Sequence, residues 1–270
     1  MQYSVTDQLG RTITLQQRPV RIVSTVPSQT ELLSDLGLNA EVVGITKFCI
    51  HPVEWFNNKI RIGGTKALNL EKIKALQPDL IIANKEENDQ EQIELLAREY
   101  PVYISDIKTL DDAVKMIQDI GILTGRIQEA TQIAHGIRQG MSMLTIPTKR
   151  TRCAYFIWWE PLMSINHDTF IHDMLTRCGF ENVFSNETSS RYPVINEDAL
   201  LAAQAELILL PSEPFPFGEK HIAYFRQILP QATIMKVDGE MFSWYGSRLL
   251  RAPNYLRSIV RQASLAHPSS

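Results

Sequence analysis

An internal repeat is the feature that most constrains how this chain of 270 residues can fold. Residues 68–84 read LNLEKIKALQPDLIIAN, and residues 194–212 read VINEDALLAAQAELILLPS. Aligned, both segments carry an asparagine, an acidic residue, a glutamine, a second acid and then an apolar run. Each segment is long enough for one helix followed by one strand. The repeat therefore predicts two similar lobes, and a cleft between two lobes is where small ligands usually bind.

Short apolar runs alternate with helical stretches in both halves of the chain. The predicted strands are residues 20–23, 42–45, 80–83, 102–104, 153–158 and 207–210. This alternation is typical of an α/β fold with a parallel sheet flanked by helices. Ser28 is predicted to cap a helix over residues 29–36, with Glu31 completing a capping box.

The centre of the chain is helical instead. Apolar residues recur with a helical period over residues 110–144, and Gly121 and Gly125 are expected to divide this stretch into two helices. The second, over about residues 126–144, would span ~28 Å at ~1.5 Å per residue. The predicted domains are a first lobe (1–108), a helical linker (109–147), a second lobe (148–265) and a disordered tail (266–270).

Composition excludes several classes of function. The net charge of −3 and the scattered Lys and Arg residues argue against a nucleic-acid partner. Cys49, Cys153 and Cys178 fit neither a disulfide framework nor a CxxC metal site, so free thiols are predicted; if buried, they would behave as small apolar residues. The first residues lack the features of a secretory signal, and no run of eighteen apolar residues occurs.

No P-loop, nucleophile elbow or HExxH motif is present, so we do not expect an enzyme.

Three clusters of aromatic and polar residues lie after predicted strands or before predicted helices, where α/β sheets bind ligands. They are Trp158, Trp159 and Glu160; Arg191 and Tyr192; and Trp244, Tyr245 and Arg248. A single aromatic residue is more often part of a core. However, adjacent residues leaving a strand point to opposite sides, so Trp158 and Trp159 cannot both cover the same surface. Together the clusters suit a large, flat, partly polar ligand.

Histidines offer weaker candidates for metal binding. His51, in a loop with Phe48, could coordinate a metal through a neutral imidazole nitrogen, or could simply stack on Pro52. His167 and His172 lie five residues apart, which places them badly for one helical face. Asp168, between them, is better explained as a helix N-cap, so a metal site there is disfavoured.

The repeat also places acidic residues at matching positions, Glu71 in one copy and Glu197 and Asp198 in the other. Capping and the helix dipole already favour an acid in a first helical turn by roughly 0.3–1 kcal/mol. Helix capping alone does not require acidic residues at matching positions in both lobes. Two acids on one rim of a two-lobed body could dock onto basic residues of a two-fold symmetric partner.

Three segments carry a resemblance to a known family: PVRIVSTVPSQTELLSDLGLNAEVVGITKFCIHP, LNLEKIKALQPDLIIAN and TFIHDMLTRCGFENVF. With the long central helix and the C-terminal aromatic residues, they resemble the substrate-binding proteins of ABC importers for cobalamin, iron siderophores and haem. The resemblance covers about residues 3–260. It implies two α/β lobes joined by one rigid helix, with the ligand held between the lobes. It also implies that Glu71 and Asp198, with Glu197 as a possible substitute, pair with arginines of two permease subunits.

In cobalamin binders of this family, aromatic residues of both lobes pack on the corrin ring. The resemblance assigns that role to Phe48, Trp158, Tyr192 and Trp244 or Tyr245. A tryptophan often found before the first acidic helix is absent around Thr65. The charged candidates would equally suit a siderophore with carboxylates or a chelated metal; they are His51, Glu160, Arg191 and Arg248.

The leading hypothesis is therefore a monomeric solute-binding protein that captures cobalamin or a ferric siderophore for an ABC permease dimer and its ATPase. The chelate would be the transported ligand, and no prosthetic group is expected. Such a protein works in the periplasm or tethered to the membrane. The missing signal leaves open a cytoplasmic corrinoid-binding protein, or a corrinoid-processing enzyme using His51, Glu160 or Arg248. A third hypothesis is a direct metal-ion receptor using His51 and Glu160.

Overall fold

The computed structural model describes residues 3–187 and 190–266, and they form two compact units. Within this range the first unit contains residues 3–107, 111–138 and 245–250. The second contains residues 108–110, 139–187, 190–244 and 251–266. Each unit has its own parallel sheet flanked by helices, which confirms the predicted α/β class.

The first unit is built on a five-stranded parallel sheet in the order β5-β4-β3-β6-β7, and β1 and β2 form a separate antiparallel hairpin. The strands are β1 Tyr3–Thr6, β2 Thr12–Leu15, β3 Ile22–Ser24, β4 Val42–Ile45, β5 Ile60–Arg61, β6 Leu80–Asn84 and β7 Val102–Ser105. The helices are α1 Pro27–Asp35, α2 Val53–Asn58, α3 Leu70–Ala75, α4 Gln90–Ala97, α5 Leu110–Thr124 and most of α6 Ile127–Ser142. A 3₁₀ turn, Ser247–Leu250, also belongs to this unit.

The second unit is built on a four-stranded parallel sheet in the order β11-β10-β8-β9. Its strands are β8 Thr151–Tyr155, β9 Phe180–Asn182, β10 Leu207–Pro211 and β11 Thr233–Val237. Its helices are α7 Phe170–Arg177, α8 Glu197–Ala202, α9 Glu219–Ile228, α10 Glu240–Ser243 and α11 Ala252–Ala266. In both sheets the central strands β6 and β10 are buried at all five positions, because helices cover both faces of a parallel sheet.

The repeated segments adopt the same local structure in the two units. Asn69 caps α3 by accepting the Lys72 N–H, and Asn196 caps α8 by accepting the Ala199 N–H. After each helix a glutamine takes a positive φ, 45° at Gln77 and 47° at Gln204. The left-handed conformation is uncommon for residues other than glycine, so its recurrence at matching positions is strong evidence of one shared loop design.

An arginine and an acid complete the repeated loop. Asp79 accepts the backbone N–H of Arg21 at 2.9 Å, and Glu206 accepts that of Arg152 at 2.9 Å. The Arg21 side chain in turn donates to the Leu76 carbonyl, and the Arg152 side chain donates to the Ala203 carbonyl. Each helix end is thereby tied to the first strand of its own sheet.

The central helical stretch is divided into two helices, as predicted. Gly125, with φ of +68°, lies between α5 and α6 as predicted. Gly121 does not contribute to the division, because it lies inside α5, where a Cβ would come 2.3 Å from the Ala130 Cβ. Its lack of a side chain lets α6 approach α5 closely. The helix α6 ends at Ser142, two residues before the predicted end.

Two predicted helix caps are wrong. The helix α1 begins at Pro27, and no side chain caps it, so Ser28 is not a cap and Glu31 does not complete a capping box. A proline at the first helical position has no N–H that needs a partner. The cap of α7 is Thr169, which accepts the His172 N–H, while Asp168 pairs with Lys108 at 2.7 Å.

The predictions for the cysteines and for the tail have different outcomes. All three cysteines are free, as predicted, and the structure shows that they are also buried. The predicted tail begins inside the last helix, because α11 continues to Ala266. The remainder of the tail lies outside the described residues.

Candidate functional site

The carboxyl ends of the strands in the first unit meet in a buried hydrogen-bond network. The Asn84 side chain donates to Ser105 Oγ at 3.0 Å, and Gln29 Nε2 donates to the same oxygen at 2.6 Å. Asn88 Oδ1 accepts from the Asn84 N–H at 2.9 Å and from Thr25 Oγ1 at 2.8 Å. Hydrogen bonds of this kind fix the loops that leave the sheet.

The loop that follows β4 presents an aromatic ring to solvent. Phe48 is 51% exposed, with Lys47 Nζ 5.0 Å from the ring centroid. The next residue, Cys49, anchors the loop by accepting from Thr30 Oγ1 at 3.0 Å, and burial raises the pKa of its thiol. His51 is half-buried just before α2. The structure therefore places Phe48 as an exposed ring on an anchored loop.

Tyr245 and Arg248 belong to the first unit and are buried there. Burial raises the pKa of Tyr245 well above its ordinary value, with Glu87 and Glu86 nearby adding to the shift. Arg248 is 7% exposed and forms a bidentate pair with Glu31, donating at 2.7 and 2.8 Å. Both side chains are therefore buried inside the first unit and offer little surface to a ligand.

Trp158 and Trp159 point to different surroundings at the end of β8. Trp158 is 42% exposed, and its Nε1 donates to the Glu160 carbonyl at 3.0 Å. Trp159 instead packs edge-on against His221 at 4.7 Å and Tyr224 at 5.1 Å, beside the core of the second unit. The Glu160 side chain is exposed. Of the two indoles, only that of Trp158 offers a large surface to solvent.

The loop after β10 supplies aromatic residues that sequence reasoning missed. Phe215 packs on Trp158 with ring centroids 5.6 Å apart, and also contacts Phe217 at 4.9 Å and His221 at 5.2 Å. The two Pro-Phe pairs of the run EPFPFGEKH were the signal available in the sequence. Phe215 therefore supports the Trp158 indole through an edge-on contact.

Trp244 is fixed by the half-buried carboxylate of Glu213 in the second unit. Its Nε1 donates to Glu213 Oε1 at 2.7 Å, and Ser243 Oγ donates to the same oxygen at 3.1 Å. Burial raises the pKa of Glu213, and Glu240 and Asp238 nearby add to the rise, while both hydrogen bonds oppose it. Trp244 is only 7% exposed, so its indole lies buried beside Glu213 and offers little surface to a ligand.

Because the pKa of Glu213 is raised in the folded protein, stability should fall as the pH rises through the ordinary pKa of a glutamate toward that raised value. The unfolded chain ionises first, and the folded state then bears the cost of a buried charge. We expect Glu213→Gln to raise the Tm most at pH 7–8, with the difference shrinking toward about pH 4. Thermal melts across this range check this, with the exposed Glu187→Gln as control. A gain independent of pH would contradict the assignment.

Arg191 and Tyr192 precede α8 in chain order and are both half-buried. Arg191 Nε donates to the Asp168 carbonyl at 2.7 Å and lies 3.5 Å from the Asp168 carboxylate. Asp168 also pairs with Lys108, and the Lys108 ammonium lowers its pKa. The guanidinium is thus held against the start of α7, while Tyr192 has part of its surface open to solvent.

The two candidate histidines near α7 have different hydrogen-bond partners. His167 Nδ1 lies 2.8 Å from the Ser185 carbonyl, whereas the ring of His172 lies beside Thr176 and Asn182. Within residues 3–187 and 190–266, no group of three or more His, Cys, Asp or Glu side chains could hold a metal ion.

The repeated acids lie on exposed first turns. Glu71 is exposed on α3, and Glu197 and Asp198 are exposed on α8. The two acids of α8 differ, because Glu197 Oε2 accepts from the Tyr224 hydroxyl at 3.1 Å. Asp198, the residue aligned with Glu71 by the repeat, carries no such bond. Among the described helices, none is long and apolar enough to cross a membrane.

Comparison with known proteins identifies the class. The model of the periplasmic binding protein family matches residues 22–221, so the chain belongs to that family of binding proteins. The chain is 27% identical over 263 residues to the vitamin B12-binding protein of Pectobacterium atrosepticum, covering 93% of this chain and 92% of that protein.

Solved structures share the fold. The periplasmic vitamin B12 binding protein BtuF of Vibrio cholerae matches with a TM-score of 0.73 at 21% identity, over 91% of this chain and 98% of that one. The periplasmic heme-binding protein RhuT from Roseiflexus sp. RS-1 matches with a TM-score of 0.76 at 19% identity, over 91% and 99%. The recognised family and the α/β architecture are thereby confirmed.

Proposed function

We propose that this chain is the solute-binding component of an ABC importer for a metal chelate, with cobalamin ahead of a ferric siderophore. The observation that carries the proposal is the similarity to a vitamin B12-binding protein over 93% of the chain. The protein would work as a monomer outside the cytoplasmic membrane and deliver its ligand to a permease dimer with its ATPase. The chelate is cargo and not a prosthetic group.

The exposed aromatic residues support a flat ligand. Phe48 is 51% exposed on the first unit and Trp158 is 42% exposed on the second, each in a loop that follows a parallel strand. Ligands of open α/β sheets bind outside the carboxyl ends of the strands, where these loops begin. We assign direct contact with the macrocycle to these two rings and to Tyr192.

The remaining candidates have supporting roles in this proposal. Trp244, Tyr245 and Arg248 are each 7% exposed, and Trp159 packs beside the core, so we assign them to the structure of their own units and not to ligand contact. The polar candidates His51, Glu160 and Arg191 would contact peripheral groups of the ligand. We assign permease docking to Glu71 and Asp198, because Glu197 is engaged by Tyr224.

Replacing Trp158 by alanine should weaken the binding of cyanocobalamin about tenfold, which corresponds to about 1.4 kcal/mol of lost stacking and apolar contact. Isothermal titration of the purified protein measures the change. Met143→Ala is the matched control, since Met143 is an exposed apolar residue of the same unit at 61% exposure and has no assigned role. Equal affinities of the Trp158→Ala variant and the native protein would remove Trp158 from the ligand site.

The ligand class is tested by titrating the native protein with cyanocobalamin, haemin and a ferric siderophore in parallel. A shift in the visible spectrum, or quenching of tryptophan fluorescence, at micromolar or lower concentration is expected for at least one of them. Flat titrations with all three chelates would reject the proposed function. Binding of haemin or the siderophore alone would keep the importer and replace cobalamin as the cargo.

A further inference from the structure

His221 is a buried histidine whose hydrogen bonding depends on its protonation state. It stands at the third position of α9, is 3% exposed, and its Nδ1 accepts the Gly218 backbone N–H at 2.8 Å. Only a ring without a proton on Nδ1 can accept this bond, so the neutral ring carries its proton on Nε2. Nε2 is buried and has no hydrogen-bond partner within the part of the chain that the structure describes.

Aromatic rings surround the imidazole and connect it to Trp158. The His221 ring lies 4.7 Å from Trp159, 5.2 Å from Phe215 and 5.4 Å from Phe217. Phe215 in turn packs edge-on against Trp158 at 5.6 Å. The hydrogen bond to Gly218 therefore fixes the end of the loop whose Phe215 ring supports the Trp158 indole.

We propose that His221 is a positioning residue that holds Trp158 in its binding orientation through Phe215, and that protonation of its imidazole releases that support. The part played by Trp158 in binding rests on the proposed function. The link from His221 to Trp158 does not, because it consists of contacts within the second unit.

Protonation of the His221 imidazole would break its hydrogen bond with the Gly218 N–H. Nδ1 of an imidazolium is a donor, so it would face the Gly218 N–H donor to donor, and a charge would be placed among aromatic rings. Burial lowers the pKa of His221, and Lys220 on the same helix lowers it further. Glu160, from the loop after β8, opposes this lowering. Glu213, which opens the aromatic loop, directs its carboxylate to Trp244 and Ser243.

The sign of the pH effect follows from the lowered pKa. The neutral ring and its bond are fully present above the ordinary pKa of histidine, about 6.5. They are lost as the pH falls through the lower pKa of the folded protein. Acidification should therefore loosen the Phe215–Trp158 contact, while neutral pH should keep it intact.

Fluorescence of the ligand-free protein tests the link directly. The difference between the emission of the native protein and that of Trp158→Phe isolates Trp158, since the titration of Glu213 beside Trp244 is common to both. We expect this difference to change as the pH is lowered from 7.5 to 4.5. His221→Gln should make it independent of pH, because glutamine at this helical position can accept the same backbone N–H without titrating. A pH-dependent difference that persists unchanged on the His221→Gln background would overturn the proposal.

A second variant guards against an uninformative result. His221→Phe keeps an aromatic ring and removes the acceptor, so its Trp158 emission at pH 7.5 should already resemble the acid form of the native protein. If that variant does not fold, His221→Gln alone decides the outcome. Circular dichroism at each pH confirms that the fold persists in every variant compared.

Ligand binding then separates this proposal from the proposed function. The affinity of the native protein for cyanocobalamin should fall about fivefold as the competent state is depopulated by acid, and that of His221→Gln should stay constant. A pH-dependent emission that His221→Gln abolishes, in a protein that binds no chelate, would support the positioning role and reject the proposed function. An equal loss of affinity in both proteins would overturn the role of His221.

Discussion

Reversing the charge at Glu71 and Asp198 together, as Glu71→Lys with Asp198→Lys, is expected to abolish ligand uptake while leaving ligand affinity unchanged. Both side chains lie on exposed first turns of short helices, and both are placed by an asparagine cap and the repeated loop. Like charges brought together at an interface cost several kcal/mol, so two reversals would prevent docking onto basic permease residues. Uptake of labelled cyanocobalamin by cells, beside titration of the purified variant, measures both quantities.

The structure offers a closely matched control for this experiment. Glu91 on α4 and Glu219 on α9 are likewise exposed acids in first helical turns, one in each unit. Reversing both changes the net charge and the helix dipole interaction by the same amount, so uptake should be retained. Glu197→Lys alone should also retain most uptake. If the Glu71 and Asp198 double variant imports ligand normally, these acids only stabilise their helices.

Breaking the pair of Glu31 and Arg248 is expected to destabilise the protein by about 3–5 kcal/mol, because a buried charge then remains without its partner. The side chains are 10% and 7% exposed, and the two short bonds form a fork that fixes both groups. Arg248→Met retains much of the apolar stem and removes the guanidinium. Urea denaturation of the purified variant measures the loss.

Two companion variants show whether burial is the cause. Glu31→Met with Arg248→Met removes both charges and should be clearly more stable than Arg248→Met alone. Arg138→Met breaks the exposed pair with Asp111, whose side chains are 56% and 78% exposed, and should cost less than about 1 kcal/mol. Similar losses for Arg248→Met and Arg138→Met would mean that burial contributes nothing.

The repeat made much of the fold predictable, because its information is local. An asparagine cap, a glutamine turn and an apolar run follow one another within twenty residues, and each has its own conformational preference. The same reasoning identified the helical centre from its period. Helix starts were less predictable, because Ser28 and Pro27 offer competing signals and the proline determines where α1 begins.

Contacts between distant residues could not be read from the sequence. Arg248 was chosen as a candidate for its charge and neighbours, but Glu31 lies 217 residues away. Phe215 and His221 are absent from the sequence candidates, and only packing shows that Phe215 contacts both Trp158 and His221. The exposed faces of Phe48 and Trp158 likewise depend on which residues each neighbouring loop places beneath them.

The placement of residues 245–250 has a consequence for how the protein is made. This segment packs in the first unit, where a Cβ at Gly246 would come 2.8 Å from the Ser28 carbonyl oxygen, although both of its neighbours along the chain belong to the second unit. During synthesis the Glu31 carboxylate cannot meet Arg248 until the 217 residues that separate them have been made. The N-terminal half cannot complete its own interior alone, so the last steps of folding in the two halves are coupled in time.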